Sequence, residues 1–248
     1  MKAKSTELMR GPRAYACRIR QNGRVYASKH PLLFYTLYRS LRSESRIRWV
    51  DRKTQLVIEG YPRSGNTFAV VAFQQAQRES VRIAHHLHAP AQVIRAERLQ
   101  IPTIVLIREP ADAVLSQIVR RPDISAPLAL KSYLSFYETV AARCSAYVVG
   151  TFREVTREYG SVIERANAKF GTNFFPFQHT DANLNEVFAV IDYLNKINGK
   201  ALDNKVSRPS IAKDRLKNEA KSALATKECA TLLAAAEAIY SDFVSQAG

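Results

Sequence analysis

The chain has 248 residues, 46% of them hydrophobic and 9% aromatic, with 37 Lys and Arg against 22 Asp and Glu and a formal charge of +15. That apolar content excludes a disordered chain and suits one large α/β domain, or at most two small ones. Three scattered cysteines, Cys17, Cys144 and Cys229, give no CxxC pair and no even disulfide framework, which points to a reducing, cytoplasmic setting without structural zinc.

The charge is uneven. Residues 1–53 hold 14 basic and 3 acidic residues, a net +11, and the remaining 195 residues supply only +4. The sequence thus divides into a basic N-terminal arm, 1–53, and an α/β domain, 54–248. The arm reads either as a solvated basic face or as a surface for an anionic polymer or an anionic membrane; no specific nucleic acid is expected. Its one apolar stretch, PLLFYTLY (31–38), is too short to span a bilayer and has no cleavage site after it, so neither a membrane span nor a secretory signal is expected. The arm could instead pack on the domain or lie peripherally on a membrane.

From residue 54 strands and helices alternate. TQLVIEGY (54–61) predicts a strand, AVVAFQQAQRE (69–79) a helix, SVRIAHHLH (80–88) a second strand and PAQVIRAERLQ (90–100) a helix. PTIVLIREP (102–110) is a nearly continuous apolar run, as in a strand buried on both faces. Helices are expected over 111–121 and 130–144, with Leu130, Leu134, Tyr137, Ala141 and Cys144 on one face. AYVVGTF (146–152) predicts another strand, and further helices cover 157–170, 181–197 and the Ala-rich C-terminus. This alternation implies a three-layer α/β/α fold around a central parallel sheet, in which ligands bind beyond the carboxyl ends of the strands.

The first strand runs into GYPRSGNT (60–67), the G-x-x-x-x-G-x-T frame of a phosphate-binding P-loop. Asn66 stands where an ATP-binding loop carries lysine, and the positive charge lies three places earlier, at Arg63. Gly65 permits close backbone approach, and successive N–H groups at a helix N-terminus favour an anion. Without a partner elsewhere, the same pattern is only a tight strand–helix corner. A nearby strand then ends in Arg108, where an NTPase carries an Asp that helps hold Mg²⁺. A guanidinium there repels a metal and attracts an anion. Ser116 lies two helical turns on, with Pro110 and Asp112 at the helix start. Together the two segments read as two anion subsites.

At these residues the chain resembles the sulfotransferase family. YPRSGNTF (61–68) looks like the family's 5′-phosphosulfate loop, YPKSGTTW, and REPADAVLS (108–116) like its 3′-phosphate motif, RNPKDVAVS. The resemblance runs from about residue 56 to 170 and weakens beyond. It implies 3′-phosphoadenosine 5′-phosphosulfate (PAPS) as donor and 3′-phosphoadenosine 5′-phosphate (PAP) as product, without a metal. It implies that Arg63 takes the catalytic lysine position and that Ser64, Gly65, Asn66 and Thr67 hold the phosphosulfate. Phe68 would take the place of the adenine-stacking tryptophan, and Arg108 and Ser116 would bind the 3′-phosphate. The acceptor is expected to be a small molecule or a glycan with a hydroxyl or amine.

HHLHAP (85–90) supplies the candidate general base. Family members carry a base histidine two residues before a proline, and His88 has that spacing to Pro90; His86 is the second candidate. A metal site is a further reading of three histidines in four positions, but His85 and His86 point to opposite faces if the strand persists, and no carboxylate partner is evident. The family's C-terminal R-K-G loop is missing. VSRPSIAKDRLK (206–217) offers Arg208, Lys213 or Arg215 to close over the 3′-phosphate, or is an ordinary linker. Two other classes stay open: a P-loop small-molecule or nucleotide kinase, and a nonenzymatic binder acting through the basic arm.

Overall fold

A computed structural model describes residues 12–41, 48–197 and 211–247. Two helices open it, α1 (Pro12–Lys29) and α2 (Pro31–Leu41), each with proline in its first position, where the missing N–H costs nothing. They pack on the domain. Phe34 and Tyr35 are buried with Leu87, Ala89 and Ala91. The Tyr35 hydroxyl donates to Gln92 Oε1 at 2.5 Å, and the wholly buried Gln92 also accepts from the Val50 N–H and donates to the Arg48 carbonyl.

Strands β1 (Leu56–Gly60), β2 (Ile83–His85), β3 (Thr103–Ile107) and β4 (Val148–Thr151) form one parallel sheet in the order 2-1-3-4. Every residue of β1, β3 and β4 is buried, as the continuous apolar runs require of a sheet covered on both faces. On one face Leu56, Ile58, Ile104 and Leu106 meet α3 (Asn66–Ala76), α8 (Tyr159–Phe170) and α9 (Asp181–Ile197). On the other, Val105, Ile107 and Val149 meet α5 (Pro110–Arg120), α6 (Ala126–Ala141) and the C-terminal α11 (Lys227–Ser245). Helix α4 (Pro90–Arg98) covers Val57 and Ala84 on that second face. Short α7 (Phe152–Arg157) follows β4, and α10 (Ile211–Ala220) lies against α5. The result is a three-layer α/β/α fold.

The strand order places the site. The chain leaves β1 for a helix on one face and leaves the adjacent β3 for a helix on the other, so a crevice opens between their carboxyl ends. Gly60 is obligatory there, because a Cβ would lie 2.3 Å from the Leu106 carbonyl oxygen of β3.

Two expectations need correction. Helix α3 begins at Asn66, three residues before the expected start, because Gly65 turns left-handed (φ 91) as its N-cap. Strand β2 ends at His85 instead of running to His88: His86 and His88 both take positive φ, 60° and 50°. The reason is Glu59. This fully buried carboxylate accepts the N–H groups of Leu87 (2.8 Å) and His88 (2.9 Å), so those donors are satisfied by a side chain and not by a neighbouring strand.

Gly60→Ala is expected to cost about 3 kcal/mol or more, since backbone and not a flexible side chain blocks the new methyl. Urea denaturation measures it, and a near-neutral result would mean that β1 and β3 do not approach so closely.

Candidate active site

Tyrosines of α6 fix both strand ends before any ligand is considered. The Tyr137 hydroxyl donates to the Leu106 carbonyl (2.7 Å) and accepts the Tyr61 N–H (3.2 Å), and the Tyr133 hydroxyl donates to the Arg108 carbonyl (2.8 Å). Tyr61 returns the tie, its own hydroxyl donating to the Ala129 carbonyl. The loop after β1 and the turn after β3 are thus anchored on the same helix. From the sequence Tyr137 reads only as an apolar-face residue; its polar role depends on which strand ends it meets.

The two motifs touch. Arg108 Nη1 donates to the carbonyl oxygen of Arg63 at 3.2 Å, and Arg63 Nε donates to Ser116 Oγ at 2.9 Å. Arg108 Nη2 also pairs with Asp112 at 2.8 Å, and its guanidinium carbon sits 4.0 Å from the centre of the Phe152 ring. Burial works to raise the Asp112 carboxyl, but the hydrogen bond and charge of Arg108 outweigh it and hold the group below the usual carboxylate range. Arg63 itself has a left-handed backbone (φ 74). Burial first, then the charges of Arg120 and Arg108, lower its guanidinium to about 10. Concentrated positive charge of this kind is costly until an anion answers it.

The rest of the loop contributes unevenly. Helix α3 has no side-chain cap on its first N–H groups, leaving them and the helix dipole toward the crevice. Ser64 is wholly buried, with its Oγ 3.3 Å from the Tyr137 hydroxyl, so its side chain faces the core. Asn66 donates to the Tyr61 carbonyl (3.2 Å), while Oδ1 has no partner among the described residues. Thr67 Oγ1 lies 3.0 Å from His86 Nε2. Phe68 is buried against Phe177, Phe188 and His179, with part of its ring at the crevice. Phe152, beneath Arg108, is an aromatic wall that the sequence did not single out; its place directly after β4 was the available signal.

The histidines divide into two roles. His85 and His86 bring their Nδ1 atoms within 2.5 Å, so they do not point to opposite faces, and His86 spends its other nitrogen on Thr67. His88 Nδ1 donates to the Gly60 carbonyl at 2.8 Å, which fixes the neutral tautomer with Nε2 as the lone-pair acceptor. His88 lines the crevice, and Nε2 has no partner among the described residues. Burial holds His88 down at about 4, against the opposing bond to Gly60. His85 is held at about 4 by burial and then by Arg48. Among the described residues no group of three or more His, Cys, Asp or Glu is placed to hold a metal ion.

All of this opens on one cavity of about 820 Å³. Arg63, Arg108, Arg120, Arg121 and Lys217 line it toward the β3 side, and Asp112 is the one carboxylate among its described lining residues. Lys217, from the C-terminal segment, reaches the cavity, whereas Arg215 is exposed and paired with Glu219. Arg208 lies outside the described residues, and nothing is described of the Lys213 side chain. Among the described residues no helix is long and apolar enough to cross a membrane.

No family model matches the chain, and no curated protein matches it. Among solved structures, mouse sulfotransferase SULT7A1 complexed with PAP is similar over 78% of this chain and 94% of that one, at 12% identity and a TM-score of 0.43. At that distance the likeness carries no weight, and the chemistry has to come from the residues themselves.

Two measurements probe this arrangement. Tyr137→Phe leaves the Leu106 carbonyl and the Tyr61 N–H short of a buried partner and is expected to cost about 1–3 kcal/mol in urea denaturation. The pH dependence of stability has a definite sign. Burial raises Glu59 to about 7, so between its ordinary 4.5 and about 7 the folded state binds a proton that the unfolded state lacks, and this contribution falls as pH rises. His85 and His88, held at about 4 against 6.5, act the other way, and their contribution falls as pH drops from 6.5 toward 4. Two protons outweigh one, so stability should rise with pH up to about 6.5, and Glu59→Gln should steepen that rise.

Proposed function

We propose that the chain is a sulfotransferase that moves a sulfuryl group from PAPS to a hydroxyl or amine. The observation that carries this is the direct contact between the two anion-favouring segments: Arg108 on the Arg63 carbonyl and Arg63 on Ser116, at an uncapped helix N-terminus. A donor with an anion at each end of one nucleoside needs two such subsites side by side. The residues present suit it. Arg108 Nε is buried without a partner among the described residues, a donor left over for a phosphate oxygen. A kinase on the same frame would want a lysine at position 66 and a metal-binding carboxylate at the end of β3; the chain has Asn66 and Arg108.

In this reading the Gly65–Thr67 backbone holds the 5′-phosphosulfate, and Arg108 and Ser116 hold the 3′-phosphate. PAPS supplies an activated sulfuryl group on a good leaving phosphate. His88 Nε2 takes the proton from the acceptor as the acceptor oxygen or nitrogen bonds to sulfur. The bond from sulfur to the bridging phosphate oxygen breaks, and the electron pair leaves on PAP. Arg63 and the loop N–H groups meet the charge that grows on those oxygens, and preorganised electrostatics of this kind provides most of the acceleration. Glu59 acts one step back, holding the His88 backbone in its left-handed turn. Phe68 and Phe152 are the aromatic surfaces placed to receive the adenine.

Calorimetry with PAP against ADP tests the donor: a clear preference for PAP is expected, and equal affinity would overturn the assignment. Arg108→Ala should weaken PAP binding by about tenfold to a hundredfold, the worth of a charged hydrogen bond. Arg63→Ala and His88→Asn should each lower kcat by about a hundredfold or more while circular dichroism and melting stay close to wild type. The acid limb of kcat/KM for the donor should lie near pH 4, where the free enzyme's His88 titrates. A bound anion favours the imidazolium, so the acid limb of kcat should sit at higher pH.

A further inference from the structure

The cavity has a second cationic end that the donor does not use. Helix α1 turns one face, Gln21, Arg24, Val25 and Ser28, onto the cavity wall, and Arg48 joins it from the segment ahead of β1. The arm therefore builds part of the site. Arg24 Nη2 donates to the carbonyl of Leu87, next to His88, at 3.3 Å. Arg48 is held through its backbone, whose carbonyl accepts from buried Gln92, and its charge bears on His85. No carboxylate lines this end among the described residues, since Asp112 is engaged by Arg108 at the other. Both arginines are exposed, and the charges of Arg24 and Arg63 both bear on His88.

We infer that the acceptor is itself an anion, a hydroxyl- or amine-bearing molecule with a carboxylate or phosphate group that Arg24 and Arg48 hold while its nucleophile faces His88. This rests on the donor occupying the Arg63–Arg108 end. The physical argument is one of placement. A neutral acceptor would approach a mouth flanked by two unneutralised guanidinium groups with no charge to answer them, whereas an anion gains two charge-assisted contacts and is steered by the field of the whole cavity. Those contacts would also set its orientation, since they lie on the His85–His88 side and not on the β3 side. The same charge would disfavour cationic amines, so selectivity comes from repulsion as well as attraction.

The test saturates the protein with PAP, which fills the donor end, and titrates three probes by calorimetry: inorganic pyrophosphate, a hexuronic-acid tetrasaccharide and the neutral maltotetraose. The two anions separate a phosphate source from a carboxylate source. At least one is expected to bind, with maltotetraose silent. Arg24→Gln/Arg48→Gln should weaken the anion by about tenfold or more and leave PAP affinity unchanged. Arg52→Gln/Lys53→Gln, an equal loss of exposed charge away from the cavity, should leave both unchanged. The inference is overturned if neither anion binds, or if the two double variants lose affinity alike, which would mean diffuse surface charge. Failure of PAP to bind counts against the donor assignment instead. The same pair of double variants, compared with pyrophosphate in an Arg108→Ala background, then still decides whether the arm holds an anion.

Discussion

Two guanidinium groups held in one hydrogen-bonded cluster, with a single carboxylate beside them, set the terms for this molecule. Arg63 and Arg108 come from loops at the carboxyl ends of adjacent strands, and the carbonyl of one accepts from the side chain of the other. Folding brings like charges together here and removes water from Arg63, which its lowered pKa registers. Such an arrangement opposes stability on its own account, and the surrounding structure has to impose it. The imposition is visible. Gly60 lets β1 press on β3, and Tyr133 and Tyr137 tie both strand ends to one helix. The fold thus stores unanswered positive charge at its topological switch point, and a polyanionic ligand is what would relieve it.

Glu59 performs the corresponding task for the histidines. A buried carboxylate in mid-strand looks like an error in a run as apolar as LVIEG. It instead takes the place of further strand pairing: its two oxygens take the N–H groups of Leu87 and His88, end β2 early and permit left-handed backbone at His86 and His88, on either side of Leu87. That turn aims His88 at the cavity with Nδ1 already committed to Gly60. The cost of burying the carboxylate is lowered by these bonds and by its raised pKa, which leaves it part-protonated near neutrality.

Much of the sheet was legible from one sequence. The strands at LVIEG and TIVLI are short apolar runs bounded by turn residues, and a doubly covered sheet demands that pattern. The helices after them announce themselves by proline at the first position or by periodic apolar residues. The histidine segment reads as continuing strand because β-propensity and alternation cannot register a buried side chain on the neighbouring strand that captures backbone donors. Phe152 and Lys217 are harder to pick out as site residues for a related reason: the end of β4 and the segment 206–217 mark where to look, but each residue is far along the chain from the loops that share its cavity, and no local pattern says which side chain reaches it.

The sequence by itself determined the parallel α/β class, the glycine corner at 60–67, and the presence of Asn66 in place of a lysine and Arg108 in place of a metal-binding acid, because spacing and residue type along each strand–helix junction are local properties. Tertiary structure alone decided that Arg63 meets Ser116, that His88 rather than His86 keeps a nitrogen for the cavity, and that the basic arm lends Arg24 and Arg48 to its wall. Those outcomes depend on strand order and on how helices pack across the sheet, and contacts between residues dozens of positions apart are fixed only when the whole core closes.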